Sequence, residues 1–136
     1  MSQTITDEIR AKLIESAQEA RKWAYAPYSN YQVGAALLTN SGRIYDGINI
    51  ENASYPATIC AERVAASKAI SEGEREFVAL AVVTRNGGTP CGICRQFLAE
   101  FGRDTIILVA NEEGQIQLEE TLETLLPLSF GSDKLK

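Results

Sequence analysis

The three cysteines of the chain fall in two short segments about thirty residues apart. Cys60 is followed two positions later by Glu62, and Cys91 and Cys94 form a Cys-x-x-Cys pair directly after Pro90. The chain has no histidine, and thiolates at this spacing are soft ligands that suit zinc. Three protein ligands leave a fourth position for water, which is the arrangement of catalytic zinc sites. The pattern predicts a hydrolytic zinc centre with Glu62 as the group that moves protons.

Two other interpretations of these residues remain open on the sequence alone. Cys91 and Cys94, at the start of a predicted helix, also fit a dithiol redox pair, with Cys60 as an unrelated buried thiol. Glu62 also fits the role of fourth ligand in a closed structural site, because carboxylates ligate zinc. Metal analysis separates the redox interpretation from the other two, because a redox protein of this kind binds little zinc.

The length and net charge of the chain limit the functional classes to which the protein can belong. The 136 residues are predicted to form a single domain, residues 1–136, with one buried core. The net charge of −5 and the scattered Lys and Arg residues argue against nucleic acid and favour a small neutral substrate. No apolar run is long enough to span a membrane, and the N-terminus has no signal-peptide pattern. Clustered cysteines suit a reduced compartment, so we expect a cytoplasmic protein.

Hydrophobic periodicity and turn residues predict the element order α-β-β-α-β-α-β-α. The predicted helices cover residues 6–25, 60–72, 91–101 and about 119–126. The predicted strands cover residues 31–39, 43–50, 77–84 and 105–110, with a short edge strand at 115–118. This order indicates an α/β protein with a mixed sheet and helices on its faces.

Both cysteine segments fall at the predicted start of a helix, and this position bears on their chemistry. Helix N-termini present free N–H groups and a positive dipole end, which lower the pKa of nearby thiols. Residues two apart on a helix point in nearly opposite directions, so Cys60 must lie at or before the cap if it and Glu62 both face the metal. Asn49 and Glu51, two apart at a strand end, are expected on one face. A solvated strand end with turn residues is the alternative for this pair.

Five motifs, taken in order, resemble the small, homotetrameric class of cytidine deaminases. They are Ala26-Pro27-Tyr28-Ser29 with Val33-Gly34-Ala35-Ala36, Asn49-Ile50-Glu51-Asn52-Ala53, Cys60-Ala61-Glu62-Arg63, Pro90-Cys91-Gly92-Ile93-Cys94-Arg95-Gln96 and Leu125-Leu126-Pro127. Their order and spacing over nearly the whole chain carry the resemblance. It implies a three-layer α-β-α fold with a mixed sheet. It also implies zinc-dependent hydrolytic removal of the 4-amino group of cytidine and deoxycytidine, a reaction of pyrimidine salvage.

For the metal centre, the resemblance implies that Cys60, Cys91 and Cys94 hold one zinc ion per chain. Glu62 would take a proton from water and deliver protons to the ring and to the departing amine. Three thiolates leave a net negative charge at the centre, which opposes ionisation of a bound water. Arg63 is the candidate for offsetting this charge, by donating hydrogen bonds to the thiolates.

For the substrate pocket, the resemblance implies that Asn49 and Glu51 bind the ribose and that the Ala61 N–H binds the pyrimidine 2-oxo group. Phe130 matches an aromatic residue that packs on the base from a neighbouring subunit, so active sites of the homotetramer are shared. Tyr31 stands in the pocket where the family more often has Phe, and this departure bears on how tightly the pocket closes. Another aminonucleoside, such as blasticidin S, is the alternative substrate.

Overall fold

The computed structural model describes residues 5–136, which form one mixed sheet with helices on both faces. The helices are α1 (Asp7–Arg21), α2 (Ala61–Ser71), α3 (Gly92–Ala99) and α4 (Leu122–Leu125). The strands are β1 (Gly34–Thr39), β2 (Ile44–Ile48), β3 (Phe77–Val83), β4 (Ile106–Ala110) and β5 (Ile116–Thr121). Their order in the sheet is β2-β1-β3-β4-β5, and of the adjacent pairs only β3 and β4 run parallel within the described residues.

The central strands β1, β3 and β4 are buried almost throughout, as the near-continuous apolar sequences of β3 and β4 predict for those two strands. One face of the sheet packs against α1 through residues that include Leu13 and Ala17. The opposite face packs against α2 and α3 through residues that include Ala65 and Leu98. The predicted α/β class, with a three-layer α-β-α arrangement and a mixed sheet, is therefore confirmed. No helix within residues 5–136 has the length and apolar character needed to cross a bilayer.

Helix α1 is shorter than the sequence pattern predicts. Thr6 caps it, since its side chain accepts a hydrogen bond from the N–H of Ile9 at 3.1 Å. The prediction that the helix continues to residue 25 is wrong. The N–H of Tyr25 donates instead to the carbonyl of Asn49 at 3.0 Å, so tertiary pairing with the segment after β2 ends the helix early.

The C-terminal elements also differ from the prediction. The sequence pattern places residues 119–121 in a helix, but they belong to β5, and only Leu122–Leu125 are helical. Strand β4 offers a partner along this whole segment, and Glu119 of β5 forms an ion pair with Arg10 of α1 at 2.8 Å. The helix begins where the Thr121 side chain accepts the N–H of Thr124 at 3.3 Å.

Helix α2 lies unusually close to β2, and small residues make this approach possible. Gly47 of β2 faces the helix, and a Cβ atom there would lie 2.5 Å from the backbone nitrogen of Ala65 and closer still to the carbonyl oxygen of Ala61. Ala61, Ala65 and Ala69 are fully buried in the layer between helix and sheet. The position of the N-terminus of α2 is therefore set by backbone packing against the sheet.

Candidate active site

The N-termini of α2 and α3 bring the three cysteines together. Cys60 is the N-cap residue of α2 and Cys91 that of α3, both in extended conformation, and Cys94 lies in the first turn of α3. The expected cap position of Cys60 is thus what the structure has. The three Sγ atoms all lie within 4.8 Å of one another, and those of Cys60 and Cys91 are 3.9 Å apart. Tetrahedral zinc with bonds of about 2.3 Å requires sulfurs about 3.8 Å apart, so the cluster fits this ion.

The thiols share hydrogen bonds and a cationic neighbour. A hydrogen bond from the Cys94 thiol, with help from Arg63, lowers the pKa of Cys60 to about 5. The same bond to Cys60, together with burial, raises the pKa of Cys94. The Nη2 of Arg63 lies 3.5 Å from the Sγ of Cys60, so its charge is directed at sulfur. This soft, partly ionised donor set is the chemistry that zinc requires.

Glu62 lies in the first turn of α2 with only 4% of its surface exposed. Burial raises the pKa of this carboxyl group to about 7. Within residues 5–136, the cluster of close ligand atoms contains the three sulfurs and does not include the Glu62 carboxylate. A carboxyl group poised between its two protonation states beside a metal site is suited to proton transfer.

A cavity of about 280 Å³ adjoins the cysteine cluster. It brings together seven of the predicted site residues, namely Tyr31, Asn49, Glu51, Cys60, Ala61, Glu62 and Cys91. Cys94 is buried and does not line the cavity, and Arg63 reaches the site through its contact with Cys60. The remaining wall includes Val33, Val82 and Thr84, so the cavity is lined by both polar and apolar side chains.

The Asn49 side chain is largely engaged with the backbone of the segment that precedes β1. Its Nδ2 donates to the carbonyl of Tyr31 at 2.8 Å, and its Oδ1 accepts the N–H of Val33 at 2.9 Å. Together with the backbone bond from the Asn49 N–H to the Val33 carbonyl at 3.3 Å, these two bonds hold residues 31–33, which were predicted to lie in β1 but precede it. The amide retains one N–H and one lone pair for a ligand.

Glu51 is held by the turn at residues 28–29. Its Oε1 accepts the N–H groups of Tyr28 and Ser29 at 2.9 and 3.1 Å, and its Oε2 accepts the Ser29 hydroxyl. These bonds, led by that from the Ser29 hydroxyl, lower the pKa of the carboxyl group. The carboxylate can accept about four hydrogen bonds and therefore keeps room for a hydroxyl donor.

Ser29 and Thr84 are site residues that the motif analysis did not single out. Ser29 positions Glu51 and lines the cavity, and Thr84 lines it while accepting the N–H of Gly88 at 2.7 Å. Ser29 lies in the first of the five motifs, and this position in the sequence could have identified it as a site residue. No sequence pattern marks Thr84, because a threonine directly after a buried strand has many ordinary structural roles.

Phe130 is the one predicted substrate-binding residue that does not line the cavity of its own chain. Its ring is 57% exposed, and its carbonyl accepts the Nε2 of Gln96 at 3.0 Å. The nearby Leu128 is fully exposed and has a positive φ of 56°. The tail therefore projects an apolar surface outward instead of packing it into the core.

Residues 7–110 match the family model for the cytidine and deoxycytidylate deaminase zinc-binding region. The chain belongs to this family. It is 50% identical over 129 residues to a cytidine deaminase of Halalkalibacterium halodurans, and the alignment covers 93% of this chain and 97% of that one. The crystal structure of cytidine deaminase from Burkholderia pseudomallei superimposes with a TM-score of 0.84 at 43% identity, over 93% of this chain and all of that one.

A blasticidin-S deaminase of Bacillus cereus is more distant, at 29% identity over 129 residues, which is 88% of this chain and 90% of that one. The comparisons confirm the resemblance that the five motifs predict. As a member of this deaminase family the chain is an enzyme, and the redox interpretation of Cys91 and Cys94 no longer has support.

Proposed function

We propose that this enzyme hydrolyses cytidine and deoxycytidine to uridine and deoxyuridine with release of ammonia, a step of pyrimidine salvage. The observation that carries the proposal is the buried Glu62 carboxyl group beside three clustered sulfur atoms, in one cavity with Asn49 and Glu51. The cytidine deaminases that resemble the chain over nearly its whole length support the same substrate.

Cys60, Cys91 and Cys94 would hold one zinc ion per chain. When bound, zinc supplies a water whose pKa is lowered toward about 7 and which can act as a nucleophile at neutral pH. Arg63 would offset the negative charge of the three thiolates through its contact with Cys60. The N-termini of α2 and α3 would assist through their positive dipole ends, since Cys60 and Cys91 cap these two helices.

Glu62 would act as general base and then as general acid. It accepts the proton of the attacking water and delivers a proton to N3 of the cytosine ring, which makes C4 more electrophilic. It would then take the proton of the new C4 hydroxyl group and deliver it to the 4-amino group, so that the C4–N bond breaks, ammonia leaves and the C4 carbonyl of uridine forms. A pKa raised to about 7 suits both directions of transfer at neutral pH.

The remaining polar groups would orient the nucleoside. The Ala61 N–H belongs to the first turn of α2 and has no partner within the helix, so it is free for the 2-oxo group. Asn49 and Glu51 each keep hydrogen-bonding capacity for ribose hydroxyls. Among the described residues that line the cavity there is no Lys or Arg, whereas Glu51 and Glu62 are acidic. These charges favour a neutral nucleoside over a nucleotide.

We also propose that four copies assemble in the cytoplasm, with Phe130 of each chain packing on the base in a neighbour's cavity. The outward-facing Leu128 and Phe130 support this proposal, because large apolar side chains at a chain end usually have a partner surface. Sedimentation should give about four times the chain mass. Phe130→Ala should raise KM with zinc content unchanged, and a fully active monomer would contradict the shared site.

The deciding experiment combines zinc quantification with absorbance-monitored turnover of cytidine, deoxycytidine and blasticidin S. We expect one zinc per chain and turnover of the first two substrates. Blasticidin S is the second candidate because of the Bacillus cereus relative. Glu62→Gln keeps the side-chain shape but cannot transfer protons, and it should lose at least ~10²-fold in kcat while retaining zinc. Loss of zinc in this variant would instead make Glu62 a ligand.

A further inference from the structure

A side-chain hydrogen bond connects two parts of the cavity wall that are distant in sequence. The hydroxyl of Tyr31 donates to the Oδ1 of Asn86 at 2.7 Å, across 55 residues of chain. The guanidinium of the adjacent Arg85 lies over the Tyr31 ring, 5.1 Å from its centroid, in the geometry of a cation–π contact. Both interactions attach the loop at residues 84–90 to the same aromatic side chain.

The two connected segments serve different halves of the site. Residues 28–33 form the wall that Asn49 and Glu51 hold in place. Residues 84–90 lead directly into Cys91, and Gly88 and Thr89 of this loop line the cavity. The bond from Tyr31 to Asn86 therefore ties the nucleoside wall to the loop that enters the metal-binding helix.

The loop leaves space for this hydroxyl. A Cβ atom built on Gly88 would lie 2.5 Å from the Tyr31 Oη, whereas the next nearest atoms, the Cζ of Tyr31 and the Oγ1 of Thr84, are at 3.5 and 3.7 Å. The Tyr31 hydroxyl is thus the one close obstacle to a side chain at position 88 among the described residues. The absence of a side chain at Gly88 therefore leaves room for the Tyr31 hydroxyl. A Phe at position 31 has no hydroxyl, so it would not require a glycine at position 88.

We propose that Tyr31 is a positioning residue whose hydroxyl latches the 84–90 loop across the cavity and so tightens substrate binding. The inference rests on the proposed deamination of cytidine and adds a role for a hydroxyl that the chemistry itself does not use. The Tyr31 and Asn86 side chains take no part in the proposed proton transfers, so we expect the latch to contribute equally to ground-state and transition-state binding. Its loss should therefore raise KM and leave kcat unchanged.

Tyr31→Phe removes only the hydroxyl and should raise the KM for cytidine about two- to fivefold. This increase corresponds to the lower part of the range of free energies that single hydrogen bonds contribute, because Asn86 is exposed to solvent. Asn86→Leu should have the same effect, and Asn86→Asp, which keeps an acceptor, should have a smaller one. The double variant Tyr31→Phe/Asn86→Leu should be no worse than either single variant. Tyr45→Phe is the matched control, since that hydroxyl donates to Glu74 at 3.1 Å outside the cavity.

Gly88→Ala offers a third, steric way to break the same bond. In the parent it should displace the hydroxyl from Asn86 and raise KM. In the Tyr31→Phe background the obstacle is gone, so the same substitution should add no further increase. Additive effects in either double variant would overturn the latch, as would a Tyr31→Phe variant whose KM equals that of Tyr45→Phe.

Amide hydrogen exchange of residues 84–90 without substrate separates this inference from the proposed function. Exchange should be faster in Tyr31→Phe and Asn86→Leu than in the parent and in Tyr45→Phe. Equal exchange in all four proteins would overturn the latch even if the parent deaminates cytidine. If the parent does not deaminate cytidine, the proposed function fails, and the exchange comparison still decides whether the latch exists.

Discussion

Gly47→Ala tests whether the packing of α2 on β2 sets the geometry of the metal site. The added methyl group would lie 2.5 Å from the Ala65 nitrogen, and an ordinary contact begins at 3.4 Å. If the sheet holds its place, the helix must therefore move away from it by at least about 0.9 Å at this point. Cys60 caps that helix, whereas Cys91 and Cys94 belong to α3, so the displacement changes the separation of the sulfurs.

Two separately measurable effects follow from this displacement. Overpacking of a buried interface costs about 1–3 kcal/mol, which for a chain of this length lowers Tm by about 3 °C per kcal/mol. Zinc–sulfur distances tolerate only about 0.2 Å, so a shift near 1 Å should weaken zinc binding in addition to lowering the stability of the fold. We expect zinc affinity to fall at least tenfold and deamination to fall with it.

The assay is competition for zinc with a coloured chelator, run beside thermal unfolding. Gly42→Ala is the control, because Gly42 has a φ of 90° and a methyl group added there would have no neighbour within 4 Å. It should cost about 1 kcal/mol through backbone strain and leave zinc binding intact. If Gly47→Ala loses stability but holds zinc as firmly as Gly42→Ala, the sheet yields instead of the helix, and the reasoning is refuted.

Three further predictions concern charged groups at the site. In metal-free protein, burial raises the pKa of Glu62 to about 7 in the folded state, against 4.5 in the unfolded state. The free energy of unfolding of the parent should therefore fall by up to about 3 kcal/mol relative to that of Glu62→Gln as the pH rises from 4.5 to 7, and should not change further above pH 7. Denaturant titrations that show a pH-independent difference between the two proteins would contradict this. Arg63→Ala should leave more negative charge on the thiolates, make a zinc-bound water harder to ionise and shift the pH–rate profile upward, whereas an unchanged profile would make Arg63 a bystander. Glu51→Gln should reduce the preference for cytidine over 3′-deoxycytidine, and a preserved ratio of kcat/KM values would remove Glu51 from ribose binding.

Local sequence was sufficient to predict where Cys60 lies relative to Glu62. Cys60 and Glu62 can face one site only if the cysteine caps the helix, and this requirement follows from helix geometry alone. The continuous apolar strands likewise predicted a sheet covered on both faces. In both cases the determining interactions lie within a few residues or follow from a simple periodicity.

Sequence reasoning failed where tertiary contacts decide. The end of α1 depends on pairing of Tyr25 with the segment after β2, and the start of α4 depends on the length of β4. The hydrogen bond between Tyr31 and Asn86 spans 55 residues, and nothing in the local sequence around either residue predicts the other as its partner. Such contacts require the fold before they can be recognised.

Asn49 and Glu51 have both a structural role and a position in the substrate cavity, and this has a consequence for engineering. Both side chains hold the 28–33 wall through backbone hydrogen bonds while facing the cavity. A library that varies either residue to accept a different sugar would therefore also remove the hydrogen bonds that hold residues 28–33 in place. Most variants would then lose activity because the pocket is disordered and not because the new sugar is rejected. Ile59 is a better first position, because its backbone pairs with Ile50 while its 40% exposed side chain borders the same cavity.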